Sequence, residues 1–236
     1  MTENKLSSWG AAIGGGIVGA GLTAVLLVAA GPTLIGERLV REAIVNHPDI
    51  LVEASDALRD RQYAPTLAAQ RASIETPFHS SWKGAAKPEV TLAYYYDYAC
   101  GYCRKSNPDI DRLLAEDKGL RVVFHELPIL GPASLASSRV ALAASKAGKF
   151  AAFHDTLTAA AHPTLAALAQ AAATAGVSPE PQDAADQEAA LKRNFQVAGQ
   201  LGATGTPLFV VGDRVMNSAV GYDVLKDAIA DARARG

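Results

Sequence analysis

Residues 96–108 read YDYACGYCRKSNP and hold both cysteines of the 236-residue chain, Cys100 and Cys103. The run leading into them, EVTLAYYYD from Glu89, is rich in β-branched and aromatic residues and reads as a strand. The run after them, RKSNPDIDRLLAEDKG, carries Ile110, Leu113 and Leu114 at helical spacing. The cysteine pair therefore sits between a strand and a helix, and its role decides the rest of the reading.

Three roles compete. A disulfide between residues three apart closes a very small loop and restrains the unfolded chain little, so a purely structural bridge has a weak thermodynamic motive. Structural zinc takes four ligands, and with no further cysteine it would have to recruit His47, His79, His125, His154 or His162, none of them at a paired ligand spacing. A redox pair has a mechanism. A cysteine at the amino end of a helix meets unpaired N–H groups and the positive dipole end, which favour thiolate over thiol. Cys100 stands at that end, and Cys103, one turn in, is placed to resolve a mixed disulfide on Cys100. A CxxC beside a βαβ pattern is a specific redox signal.

Outward from the motif, LRVVFHELPIL (120–130) reads as a second strand stopped by Pro128 and Gly131. An Ala-rich region follows, with helical periodicity at Val140, Ala144 and Ala147, at Leu165, Leu168 and Ala172, and at Leu191, Phe195 and Ala198. TPLFVVGDRVM then gives two short strands around a Gly-Asp turn, and GYDVLKDAIADARA gives a closing helix. The order predicts an α/β fold, a mixed sheet with helices on both faces and a helical insertion over about residues 131–203.

Composition sets the environment. The chain is 49% hydrophobic and 19% charged with net charge −2, enough to bury a core and without the basic excess of nucleic-acid binding. Residues 1–36 hold the uncharged stretch AAIGGGIVGAGLTAVLLVAA, long enough to span a bilayer. They read as a transmembrane anchor, contacting the membrane through residues 9–30, or as a cleaved signal peptide. Either places the remainder outside the cytoplasm, where thiol pairs persist as disulfides. Residues 37–64 read as two short amphipathic helices broken at His47-Pro48. Their apolar stripe packs either on the main domain or on the same segment of another chain. QRASIETPFHSSWKGAAKP, from Gln70, reads as a linker, so the expected organisation is 1–36, a helical segment and linker over 37–75, and the main domain over 76–236.

YYYDYACGYCRKSNP, FHELPILGPAS, KFAAFHDTL and GATGTPLFVVGDRV together resemble the DsbA-like branch of the thioredoxin superfamily across residues 88–236. The resemblance implies a thioredoxin fold with a helical insertion, Cys100 as attacking thiol, Cys103 as resolving thiol, and Thr206-Pro207 as a cis-proline loop against the pair that docks substrate. Residues 37–64, with NHPDILVEASDAL, resemble the amino-terminal segment of ScsC-like proteins, which oligomerise through it. An oligomer raises the local concentration of reactive thiols around one substrate, which favours isomerase chemistry over one-pass oxidation.

The expected activity is that of a periplasmic or otherwise extracytoplasmic protein thiol–disulfide oxidoreductase, an isomerase or reductase, with a DsbA-type oxidase as alternative. Its expected partners are proteins bearing thiols or disulfides, a redox protein that resets the pair, and further copies of itself through residues 37–64; it needs no cofactor, metal or nucleic acid. A different class remains: a membrane-tethered interaction or soft-metal protein whose cysteines hold Cu(I). Tyr102, between the cysteines, is a candidate substrate contact with Thr206 and Pro207. The Cys100 thiol is expected between about pH 3.5 and about pH 8.5, helped by the helix end and by Arg104 or Lys105. One departure stands out. Many relatives carry an acid six positions before the first cysteine, and here that position is Tyr94. Proton exchange at Cys103 must then use water, Asp97 or Glu126, both read as solvated or hydrogen-bonded groups at strand ends.

Overall fold

The computed structural model describes residues 36–180 and 184–235. The expected anchor or signal segment lies outside the described residues except for Gly36, and no helix among the described residues is long and apolar enough to cross a membrane. The described residues divide into two units, which part between Leu58 and Arg59.

Helix α1 covers 36–46, and helix α2 (Asp49–Glu75) starts directly after Pro48, whose fixed φ suits the approach to a helix. Leu39, Val40, Val45, Leu51, Val52 and Leu58 are exposed.

The second unit is built on a five-stranded sheet of order β1-β3-β2-β4-β5. Strand β2 (Val90–Tyr96) runs parallel to β3 (Leu120–Glu126) and antiparallel to β4 (Leu208–Val211), which pairs with β5 (Arg214–Met216). The edge strand β1 (Trp82–Gly84) pairs antiparallel with β3 and falls in the stretch read as linker. Its three residues give no alternation for a sequence pattern to register.

β2 is apolar on both faces because both are covered. Side chains alternate across the sheet. Leu92, Tyr94 and Tyr96 face a large core with Val122, Phe124 and Phe209. Ala93 and Tyr95 face a smaller one with Leu208 and Val210. Helices α3 (Gly101–Glu116), α4 (Pro132–Lys146), α5 (Phe150–Ala159), α6 (Leu165–Ala175) and α8 (Tyr222–Arg235) contribute to the first core. The later part of α2 and α7 (Ala185–Gln200) contribute to the second. The helical insertion is therefore α4 to α7, as the periodicity predicts.

α2 is longer than its sequence suggests. It runs through Pro65 and makes residues 70–75 helical rather than linker. An interior proline costs about 3 kcal/mol, and tertiary packing offsets it. Leu67 and Ile74, two turns apart, are buried in the second core, and Arg71 between them pairs with Glu75 and Asp213 and donates to the Gly212 carbonyl. His125 on β3 donates through Nε2 to the Ile74 carbonyl at 2.8 Å and stacks on Tyr95, so the carboxyl end of α2 is tied to the sheet.

Candidate active site

Cys100 is the N-cap of α3, in extended conformation, and its Sγ accepts the Cys103 amide at 3.4 Å. The loop from β2 is held in place by Asp97. Its buried carboxylate accepts the Ala99 amide at 2.7 Å through Oδ1 and the Ile129 and Leu130 amides at 2.8 and 2.9 Å through Oδ2. Asp97 thus clamps the cysteine loop to the chain leaving β3, the hydrogen-bonded of the two roles that its strand-end position allows.

Across from the helix end, the Thr206-Pro207 peptide is cis. The Cys100 thiol donates to the Thr206 carbonyl at 3.2 Å, which brings the loop before β4 directly onto the pair. Pro207 is buried, Thr206 half-buried, and Tyr102 is exposed, with the Lys105 ammonium 5.8 Å from its ring centre. A groove of about 510 Å³ lined by Leu127, Ile129, Leu130 and Phe195 ends at Gly205, next to Thr206.

The two thiols are electrostatically unlike. The hydrogen bond from the Cys103 side chain, with smaller contributions from Thr206 and from the Cys103 and Tyr102 amides, outweighs burial and lowers the Cys100 thiol to about 5. Burial, with the bond to Cys100, pushes the Cys103 thiol far above its ordinary range. Arg104 donates to the Ala161 carbonyl, and the largest influences that lower Cys100 are hydrogen bonds rather than the cations Arg104 and Lys105. The arrangement is a nucleophilic thiolate at a helix end beside a buried thiol that stays protonated.

Tyr94 donates to the Cys103 carbonyl at 3.1 Å, and burial pushes its phenol well above its ordinary range. Glu126, expected at a solvated or hydrogen-bonded strand end, is buried beside Tyr96, its register partner on β2. Ser138 Oγ donates to it at 2.7 Å, and Tyr96 bonds its other oxygen. The signal was present: Glu126 continues the alternation of Val122 and Phe124 into the core. His125 and His154 are buried packing groups, lowered to about 4 and about 3 chiefly by burial. No group of three or more His, Cys, Asp or Glu side chains among the described residues is arranged to hold a metal ion.

Residues 91–230 match the DSBA-like thioredoxin domain family, and residues 37–64 match the copper resistance protein ScsC N-terminal domain. Among solved structures, a periplasmic thioredoxin-like protein from Salmonella enterica serovar Typhimurium is 28% identical, covering 70% of this chain and 95% of that one at a TM-score of 0.64. The catalytic domain of Proteus mirabilis ScsC is 26% identical, covering 71% and 97% at a TM-score of 0.65. A curated relative, the Na(+)/H(+) antiporter NhaA 3 of Salinispora tropica, is 28% identical over 174 residues. That alignment takes in 64% of this chain but only 26% of the antiporter, so the chain spans about a quarter of that relative's length.

Proposed function

The chain belongs to the family of DSBA-like thioredoxin domains, thiol–disulfide oxidoreductases, and from that premise we propose that it is an extracytoplasmic protein disulfide isomerase or reductase working through Cys100 and Cys103. The observation that carries the reading is the contact of Cys100 Sγ with both the α3 amino end and the cis Thr206-Pro207 loop. Cys100, ionised at neutral pH, attacks a substrate disulfide, forming a mixed disulfide and releasing one substrate sulfur as thiolate. A substrate thiolate then displaces Cys100, which completes an isomerisation. Alternatively Cys103 displaces the substrate, which leaves the Cys100–Cys103 disulfide and a reduced protein. Thr206 and Pro207 would dock the substrate backbone and Tyr102 would contact its side chains. A redox partner protein would restore the dithiol.

The periplasmic Salmonella relative supports an extracytoplasmic site, and the ScsC family match over residues 37–64 supports assembly through the first unit. The exposed Leu39, Val40, Val45 and Leu51 support it further, since clustered apolar side chains left in water gain stability by packing against a partner. Residues 1–36 would serve as anchor or signal. Ion transport is no part of the proposal, because the matching region is a minor share of the antiporter.

The test is reactivation of ribonuclease with scrambled disulfides by residues 37–236 and by residues 59–236, each with a Cys100→Ser control. Reactivation by the longer chain alone supports an assembled isomerase. Oxidation of reduced substrates by both without reactivation makes the protein an oxidase. Failure of both reactions overturns the redox reading and moves Cu(I) binding by the cysteines forward, a class favoured only by the copper resistance description of the amino-terminal family.

A further inference from the structure

A disulfide exchanger of this kind must move a proton on and off its buried thiol. When a substrate thiolate attacks Cys100 of the oxidised pair, its sulfur bonds to Cys100 Sγ, the Cys100–Cys103 bond breaks, and the electron pair leaves on Cys103. The substrate sulfur is oxidised and the Cys103 sulfur reduced. Cys103 then carries a negative charge where burial strongly favours the neutral thiol. The proton must come from a group on hand.

Tyr94, at the position where an acid is common, is turned to the Cys103 carbonyl. Asp97 is engaged by three backbone amides that hold the cysteine loop, and protonating it would weaken that clamp. Glu126 remains. Its carboxyl bonds the Tyr96 hydroxyl, the Tyr96 hydroxyl bonds that of Tyr98 at 2.9 Å, and Tyr98 reaches His154 Nδ1 at 3.2 Å. Tyr96, Tyr98, Asp97, Asn107 and Cys103 line one cavity of about 10 Å³. A volume of roughly 10–15 Å³ accepts a single water. A single water there would lie among Tyr96, Tyr98 and Cys103.

We propose that Glu126 is the proton store for Cys103, exchanging its proton through the Tyr96 hydroxyl and one water in the cavity shared by Tyr96, Tyr98 and Cys103. The inference rests on the redox reading of the pair. In the step above, Glu126 gives its proton to Tyr96 oxygen, Tyr96 gives its own to the water, and the water protonates Cys103, leaving Glu126 as carboxylate to be reprotonated from solvent. The reverse path takes the Cys103 proton when Cys103 resolves a mixed disulfide.

The groups facing Glu126 suit the task. Tyr96 and Tyr98 from β2 and the loop after it, Ser138 from α4 and His154 from α5 are neutral; Asp97 adds a like charge, and Asn194 of α7 binds only the Glu126 main-chain carbonyl. Burial, reinforced by Asp97, raises the carboxyl to about 8, so near neutrality it is mostly protonated yet able to ionise. His154, held neutral, meets the Tyr98 hydroxyl through Nδ1 and adds no charge to the chain of hydroxyls.

The test opens the oxidised full-length protein with reduced glutathione. The second-order rate constant, expressed per glutathione thiolate, is followed from about pH 6 to about pH 10. In the wild type it should fall on the order of 10²-fold, the usual scale of general acid catalysis, with an inflection near about pH 8. Glu126→Gln and, separately, Tyr96→Phe should give a low rate without that inflection, and Glu126→Asp should restore a pH-dependent profile. Alkylation of reduced Cys100 against pH, unchanged in the variants, shows that the site remains folded. The proposal is overturned if both Glu126→Gln and Tyr96→Phe keep the inflection, whatever the absolute rate, since that outcome leaves them only structural. If glutathione opens no disulfide even in the wild type, the redox reading fails and the proposal with it.

Discussion

The Tyr94 hydroxyl donates to the backbone carbonyl of Cys103 at 3.1 Å, so the residue that replaces the common acid holds α3 against β2 instead of titrating beside the thiol. Its phenol, raised by burial, stays neutral over any working pH. Tyr94→Phe should therefore lower stability by about 0.5–1.5 kcal/mol, the net worth of a hydrogen bond. The pH dependence of disulfide exchange should keep its shape. A displaced inflection in the pH–rate profile would return Tyr94 to the proton path.

Alkylation of reduced Cys100 by iodoacetamide should follow an ionisation near about 5, since hydrogen bonds to the sulfur favour the thiolate. Cys103→Ala removes the largest of those bonds and should move the inflection upward. An inflection near about 8.5, the value of a free thiol, would contradict the geometry. The same depression has a stability consequence. Between about pH 5 and the unfolded thiol value, the unfolded chain binds more protons than the folded one, so this group's contribution is complete above the unfolded value and lost as pH falls through about 5. The unfolding midpoint of the reduced protein should thus rise with pH relative to that of the oxidised protein across this window.

The redox motif and the order βαβ, helices, ββα could be read before any coordinates from local pattern, and the cis proline only from the family resemblance. Other features required tertiary partners. β1 is recognisable only as the pairing of Trp82 with Val123 and Gly84 with Arg121. The linker composition around Gln70 and the proline at 65 both argue locally against a helix, and Leu67 and Ile74 overrule them only by finding Tyr95 and Leu208. The alternation of Val122 and Phe124 puts Glu126 on the core face, but its partners Tyr96 and Ser138 come from elements that only the fold brings together. The thiolate's support could be assigned to the helix end from sequence, but the share carried by Cys103 and Thr206 depends on how the loop before β4 lies.

Acid should destabilise the protein through its buried histidines. His125 and His154 are lowered to about 4 and about 3, chiefly by burial, so the unfolded chain binds more protons than the folded one below its own histidine value of about 6.5. Their contribution is complete above that pH and lost as pH falls toward about 3. Chemical unfolding midpoints should drop over this range. His125→Gln, which retains a donor for the Ile74 carbonyl, should flatten part of the slope. An unchanged slope in that variant would mean that His125 is not a source of the acid sensitivity.

The later part of α2, packed in the second unit, makes a prediction about where that unit begins. A chain starting at residue 76, the boundary that composition suggests, would lack Leu67 and Ile74 and uncover the face of Tyr95, Leu208 and Val210. It would also leave the Asp213 side of the β4–β5 turn without Arg71 and His125 without the Ile74 carbonyl. Leu67→Ala alone should cost about 2–5 kcal/mol, the range for emptying a buried leucine site. The full truncation removes that contact and several others, so residues 76–236 should melt well below residues 59–236 and tend to aggregate through the uncovered apolar face. Equal melting temperatures for the two chains would show that the later part of α2 is an accessory to the fold and not one of its layers.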